Sequence, residues 1–212
     1  MNVFAGIPPG GTLTAWDRDT GATDSAVRAR ERLLEDSVAL ARHGIHPVNV
    51  PLLDHQNRAG SFSAGEVADA IAFALGEHVP AKLFAPIAAG AMPHADHRLV
   101  RDAAIALGRA CGSRVVLYAD QPYSYLGCRW PAWVVPGGEE VRWWRRVARE
   151  VGQAYCLQEC TSVRLDERQR AEKRRAMRAY RTQHGALNLG GVLDDSSLYG
   201  VEVLWEAGDH EP

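Results

Sequence analysis

Apolar and polar positions along the first half of the chain follow two alternating periods, which predict strands and helices in turn. Short apolar runs have the length and composition of β-strands at 3–7, 46–53, 81–88 and 114–119. Apolar residues recur every three to four positions, as they do in amphipathic helices, at 25–42, 63–78 and 96–112. The run at 114–119 is continuously apolar, which is typical of a strand covered on both faces.

Two of these helices allow finer predictions. The first has an apolar stripe that consists of Val27, Leu33, Leu34, Val38 and Ala41. In the second, Ser63 is placed to cap the amino terminus, and Glu66 is placed to complete a capping box.

After Asp120 the pattern is less regular. Two further helices are predicted at 139–155 and 165–187, and the apolar alternation at 199–206 predicts a closing strand. Strands and helices that alternate in this way are typical of α/β proteins. We therefore expect a single domain over residues 1–212, with a Rossmann-like, mostly parallel sheet flanked by helices.

The composition is that of an ordinary globular protein, with 46% hydrophobic and 24% charged residues. A net charge of −2 argues against a general nucleic-acid-binding protein. No apolar run approaches the roughly 20 residues that span a bilayer, and the amino terminus lacks the basic and apolar regions of a signal peptide. We expect a cytoplasmic protein that does not enter membranes and keeps its cysteines reduced.

The stretch GAMPHADHRLV (90–100) places His94, Asp96 and His97 between an apolar run and a helix, and Asp120 and Tyr123 follow the next strand. Because parallel strands end at the same edge of a sheet, these side chains are expected to lie close together. The start of a helix favours neutral imidazole, which is the form that binds metals, and Asp96 can orient a histidine. The alternative is that Asp96 caps the helix while both histidines lie on the surface.

Three motifs occur together in the chain. They are His94-Ala95-Asp96-His97, the turn from Tyr118 to Tyr123, and the late stretch from Lys173 through Tyr180 to Gln183. In this order and approximate spacing the chain resembles the LmbE-like, or PIG-L-like, N-deacetylases over most of its length.

The resemblance implies zinc-dependent hydrolysis of an N-acyl amino sugar or a related natural-product conjugate. It makes His97 a zinc ligand, His94 the catalytic histidine that assists the tetrahedral intermediate, and Asp96 the catalytic carboxylate that supports a histidine. The residues expected to contact this small-molecule substrate are Arg32, Asp120 and Tyr123. Bound zinc supplies a water with a pKa of about 7 and polarises the amide carbonyl.

One family element has no counterpart in this chain. Family members carry an early His-Pro-Asp-Asp motif after their first strand, which supplies two zinc ligands and the general base. The first residues here resemble the family's second strand, so we expect the first strand to be missing and the zinc site to be incomplete. Other ligand candidates in the sequence are Asp17, Asp19, Asp24 and His55. A missing strand leaves a sheet edge exposed, which favours pairing with a second copy in a homo-oligomer.

Several explanations stay open at this point. The chain is a truncated form of an active enzyme, a non-catalytic protein that binds a small ligand in the same fold, or an enzyme with a rebuilt metal site. The basic helix at 166–183 offers a different function, the binding of an anion or a nucleic acid. Cys156 and Cys160, four residues apart, could share a helix face, although a structural zinc site would need two further ligands.

Overall fold

The computed structural model describes residues 1–89, 94–123, 149–151 and 155–208. The chain divides into two compact units. The first unit comprises Met1–Ser61 and Asp166–Ser196, and the second comprises Phe62–Leu165 and Ser197–Pro212. The single domain expected from the sequence stays a prediction.

The described part of the second unit contains a four-stranded sheet. Its strands are β1 (Lys82–Pro86), β2 (Arg114–Tyr118), β3 (Cys156–Arg164) and β4 (Val201–Gly208), and they lie in the order β1-β2-β4-β3. β1 and β2 are parallel, whereas β4 runs antiparallel to both β2 and β3. The expectation of a mostly parallel sheet is therefore wrong for the described strands. The apolar alternation at 199–206 was a sign of this in the sequence, and in the structure β4 alternates buried and half-buried residues as antiparallel strands do.

Among the residues that the structure describes, the helices α3 (Ala64–Leu75) and α4 (Ala95–Cys111) accompany this sheet, and both were predicted. α3 begins with the expected capping box between Ser63 and Glu66. α4 packs against α3, β1 and β2. A Cβ atom added at Gly108 would lie 2.3 Å from Val115 Cγ2, so the absence of a side chain there allows α4 to lie close on β2. The second unit is thus a mixed sheet flanked by helices.

The first unit is mainly helical. It contains α1 (Ala15–Asp19), α2 (Ser25–Ala41), α5 (Glu167–Ala179) and α6 (Arg181–Leu187), and α2 packs against α5 and α6. A short 3-10 turn follows at Leu189–Gly191, and a second one at Ser196–Tyr199 begins at the last residue of this unit. The predicted single helix at 165–187 is divided at Tyr180, whose backbone leaves the helical region.

The strands predicted at 3–7 and 46–53 do not form. Bridges join Asn2 with Asn49 and Phe4 with Pro51. Further backbone hydrogen bonds, of 3.1 Å from Ala5 to Val50 and of 2.9 Å from Gly6 to Leu52, join the same segments without forming a regular ladder. Prolines explain the failure, because Pro8, Pro47 and Pro51 lack the N–H that a strand ladder requires.

The apolar stripe expected on α2 does not face the core. Val27, Leu34 and Val38 are exposed over 49%, 67% and 53% of their surface. The buried residues of α2 include Glu35 and Asp36, whose carboxylates accept hydrogen bonds from the segment at 180–182. A polar face is buried here because each of these carboxylates has its hydrogen-bond donors.

The strand β3 was not predicted, and it corrects the expectation for two cysteines. Cys156 and Cys160 lie on this strand and do not share a helix face. Of the helix predicted at 139–155, residues 149–151 are helical and the remainder lies mostly outside the described residues. None of the described helices combines the length and apolar character needed to cross a membrane.

β1 lies at one end of the described sheet, and Phe84 on it is 59% exposed. The missing family strand and the pairing with a second copy stay predictions.

Candidate active site

The candidate site lies where β1 and β2 end and α4 begins. The N–H of Ile87 donates to the carbonyl of Tyr118 at 2.8 Å, which continues the strand pairing beyond the named strands. Ala88 and Asp120 are joined across this edge by a hydrogen bond of 3.2 Å from the Ala88 N–H to Asp120 Oδ1. His94 is the N-cap residue of α4. The first turn of α4 lies at the same edge, because His97 in that turn contacts Asp120.

His97 and Asp120 form a short polar contact in the site. His97 Nδ1 lies 2.7 Å from Asp120 Oδ2. The Asp120 side chain is 5% exposed, whereas that of His97 is 33% exposed. The imidazole can therefore meet a ligand while the carboxylate beneath it is buried.

Three predicted site residues bring their rings together. The ring centroids of His94 and His97 are 4.9 Å apart, and those of His94 and Tyr123 are 5.6 Å apart. Tyr123 meets His97 edge to face, with centroids 5.2 Å apart and planes at 86°. The structure thus assembles residues from α4 and from the turn after β2 into one cluster, as the sequence predicted.

Asp96 is buried, and its carboxylate lies near His94. One ligand atom of each residue is within 4.8 Å of the other. Two ligands of one zinc ion, each about 2.0–2.2 Å from it, are separated by roughly 3–4 Å, so a small side-chain movement brings this pair to metal-binding distance. Imidazole nitrogen and carboxylate oxygen are the donor types that catalytic zinc takes, and the pair is compatible with metal binding.

Tyr118, at the end of β2, remains protonated over the physiological range. Although 36% of its surface is exposed, removal of water from the remainder raises its pKa to about 12. The negative charges of Asp120 and Glu202 add to this rise. The Tyr118 hydroxyl can therefore donate a hydrogen bond but cannot act as a base.

Arg101 is a site residue that the sequence reasoning missed. Its Nη1 donates to the carbonyl of Ile87 at 3.0 Å, and its Nε donates to Asp102 at 2.8 Å. Its guanidinium lies 5.8 Å from the centroid of the Tyr155 ring. The sequence indicated this position of Arg101 through its spacing from His97, because residues four apart on a helix share a face.

Arg32, expected to contact substrate, lies in the first unit and forms an ion pair there. Its guanidinium is 2.6 Å from Asp17, an almost fully buried carboxylate, and 4.0 Å from Asp54. These contacts hold α1 and the loop at residue 54 to α2. A role for Arg32 in substrate binding stays a prediction.

The other acidic ligand candidates also lie in the first unit. Asp24 caps α2 by accepting from the N–H of Val27, and it accepts a second hydrogen bond of 2.7 Å from the N–H of Gly11. The bond from Gly11 is the main cause that lowers the pKa of Asp24. Asp19 and His55 are exposed. Their service as metal ligands stays a prediction.

The late motif connects the break between α5 and α6 to α2. The Tyr180 hydroxyl donates to Asp36 at 2.6 Å, and the Thr182 N–H and hydroxyl donate to the two oxygens of Glu35. Gln183 Oε1 accepts from Trp16 Nε1 at 3.0 Å. In the described structure these side chains make tertiary contacts within the first unit.

Comparison with known proteins gives a likeness of structure. No family model matches the sequence, and no curated protein matches it. A deacetylase from the biosynthesis pathway of teicoplanin superposes with a TM-score of 0.75 at 24% identity, covering 98% of this chain and 85% of that one. The zinc-inhibited form of the teicoplanin deacetylase Orf2 gives 0.74 at 22% identity, covering 98% and 86%.

A third similar structure is the A40926 pseudoaglycone deacetylase Dbv21, with a TM-score of 0.70 at 24% identity over 99% of this chain and 84% of that one. Identities at this level show a shared fold and leave the reaction open. The chain therefore has the mixed α/β fold of these deacetylases.

Proposed function

We propose that this chain belongs to the LmbE-like N-deacetylases and is a zinc-dependent enzyme that removes an acyl group from an amino sugar or a related natural-product conjugate. The observation that carries the proposal is the 2.7 Å contact of His97 with buried Asp120, in a cluster with His94 and Asp96. The three sequence motifs and the deacetylase fold support it.

In this proposal His97 would be one ligand of the zinc ion. Zinc, when bound, lowers the pKa of a water to about 7 and polarises the acyl carbonyl. His94, held near the buried carboxylate of Asp96, donates a proton to the departing amine. Tyr123 presents its ring beside both histidines and so offers a surface for the sugar.

The direct test is release of acetate from N-acetylated amino sugars by the zinc-equilibrated chain. The His97→Ala variant is expected to lose at least about 100-fold in kcat/KM, since it removes a metal ligand. His78→Ala, which changes an exposed histidine of the same unit, is the matched control and should keep the wild-type rate. A wild-type chain that binds the sugars without releasing acetate would instead support the non-catalytic ligand-binding alternative.

The basic helix supports a second candidate function, the binding of an anion or a nucleic acid. α5 has no buried residue, and its exposed side chains include Arg168, Arg170, Arg175 and Arg178. Arg175 also pairs with Glu172 of the same helix, which offsets part of the charge. Oligonucleotide affinity that falls steeply with added salt would support this function, because phosphate contacts release counterions. Affinity that is negligible at low salt would exclude it.

A further inference from the structure

We propose that Asp120 is a positioning residue for His97 and does not contact substrate. We propose further that Arg101 helps to hold Asp120 in place through the Ile87–Ala88 peptide group. The proposal deepens the function proposed above, since it concerns the same site. It assigns a role to Arg101, for which the sequence motifs gave none, and a new role to Asp120.

The first step is the proton on His97. A carboxylate accepts hydrogen bonds and donates none. Asp120 Oδ2 lies 2.7 Å from His97 Nδ1, so the Nδ1 atom must carry the hydrogen. The lone pair of a neutral His97 ring is then on Nε2, which is the atom that can bind a metal or take a proton.

The second step is the other oxygen of the same carboxylate. Asp120 Oδ1 accepts from the N–H of Ala88 at 3.2 Å. Both oxygens therefore have a donor from the protein, and the side chain is 5% exposed. A carboxylate that is buried and bonded in this way is suited to orienting a neighbour and poorly suited to binding a substrate from solvent.

The third step is the peptide group between Ile87 and Ala88. Its carbonyl accepts from Arg101 Nη1 at 3.0 Å, and its N–H donates to Asp120. The two polar ends of one planar group are thus held by a cation and an anion. Ile87 and Ala88 are almost fully buried, so water competes little for either bond.

The backbone at Ala88 shows that this arrangement is imposed by its surroundings. Ala88 has φ of 49°, in the left-handed region that is unfavourable for a residue with a Cβ. Contacts on both sides of the residue must supply that cost. Because Arg101 lies one helical turn after His97 on α4, one helix face supplies both the histidine and the arginine that fixes its support.

The test is the tautomer of the neutral His97 ring, observed by nitrogen NMR of the isotope-labelled, metal-free full chain. Wild type is expected to carry the proton on Nδ1. Asp120→Ala should shift His97 toward the Nε2–H tautomer and lower zinc affinity by about 10–100-fold in competition with a chromophoric chelator. Arg101→Met should shift both quantities in the same direction by a smaller factor. Arg98→Met and Asp69→Asn, exposed residues of the same unit, should leave both unchanged.

Asp120→Asn provides an independent variant if the alanine protein does not fold. An amide has one oxygen, so it can accept from His97 or from Ala88 but not from both through its oxygen, and the Nδ1–H tautomer should lose population. A wild-type His97 that carries its proton on Nε2, or a tautomer that is unchanged in both Asp120 variants, would overturn the proposal. A chain with the expected tautomer that releases no acetate would overturn the proposed function and leave this inference standing.

Discussion

Removal of the Tyr180 hydroxyl measures what the late motif contributes to the fold. Tyr180→Phe deletes the donor that lies 2.6 Å from Asp36 Oδ1. Asp36 is 9% exposed, and its other oxygen accepts from Asn2 at 2.6 Å. The variant therefore leaves one oxygen of a buried carboxylate without its donor.

The magnitude follows from the burial of the two partners. A hydrogen bond to a charged group contributes about 1.5–3 kcal/mol, and we expect the lower part of that range because Tyr180 is only half-buried. A loss of about 1.5 kcal/mol should lower Tm by roughly 3–6 °C for a chain of this size. Asp36 is already paired with Asn2, so no large rearrangement of α2 is expected.

Chemical denaturation of wild type, Tyr180→Phe, Asp36→Asn and the double variant is the assay. The double-mutant cycle should give a coupling free energy of about 1 kcal/mol between the two side chains. Additive effects, with no coupling, would refute the view that Tyr180 acts through Asp36. If Tyr180→Phe kept wild-type stability but no longer released acetate, Tyr180 would belong to the active site instead.

Three other predictions concern the same framework. Burial and the bond to Asp36 raise the pKa of Tyr180 above its ordinary value of 10.0. The contribution of Tyr180 to stability is therefore full below about pH 10 and declines as pH rises further. In Tyr180→Phe, the free energy of unfolding from denaturation curves should fall less steeply with pH above about 10 than in wild type. Gly108→Ala places a methyl group against Val115 and should cost about 1–2 kcal/mol of unfolding free energy, part of which the added change Val115→Ala should restore. Ala88→Val should destabilise the protein by more than about 1 kcal/mol, whereas Ala88→Gly should be nearly neutral by the same assay, because only glycine adopts the left-handed backbone without strain.

The elements predicted well are those whose signals are local. The capping box at Ser63 and Glu66 and the start of α4 near Asp96 depend on residues within one or two turns. The placement of His94, His97 and Tyr123 in one cluster follows from parallel β1 and β2 ending at the same edge. These inferences needed only the spacing of apolar and capping residues along the chain and the general rule that parallel strands end at the same edge of a sheet.

The features that were missed depend on partners far along the chain. Glu35 and Asp36 are buried because their donors lie 147 and 144 residues later, and no local period shows that. β3 has a mixed polar sequence and becomes a strand by pairing with β4. The left-handed backbone of Ala88 is held by Asp120 and Arg101, so the identity of an alanine could not reveal it.

The resemblance to a family assigned roles to single residues, whereas the structure shows which groups those residues contact. Asp120 was expected at the substrate, but it lies beneath His97. Arg32 was expected at the substrate as well, but its guanidinium is paired with Asp17. Both contacts depend on which group lies opposite in three dimensions, which the sequence alone does not show; substrate binding by Arg32 stays a prediction.

Zinc binding by His97 is tested by the metal content of the purified chain after equilibration with zinc. We expect about one zinc ion per chain in wild type and in the His78→Ala control, and a loss of at least about 10-fold in zinc affinity in His97→Ala. Wild-type protein that retains no zinc, or His97→Ala protein that retains it with unchanged affinity, would contradict the account.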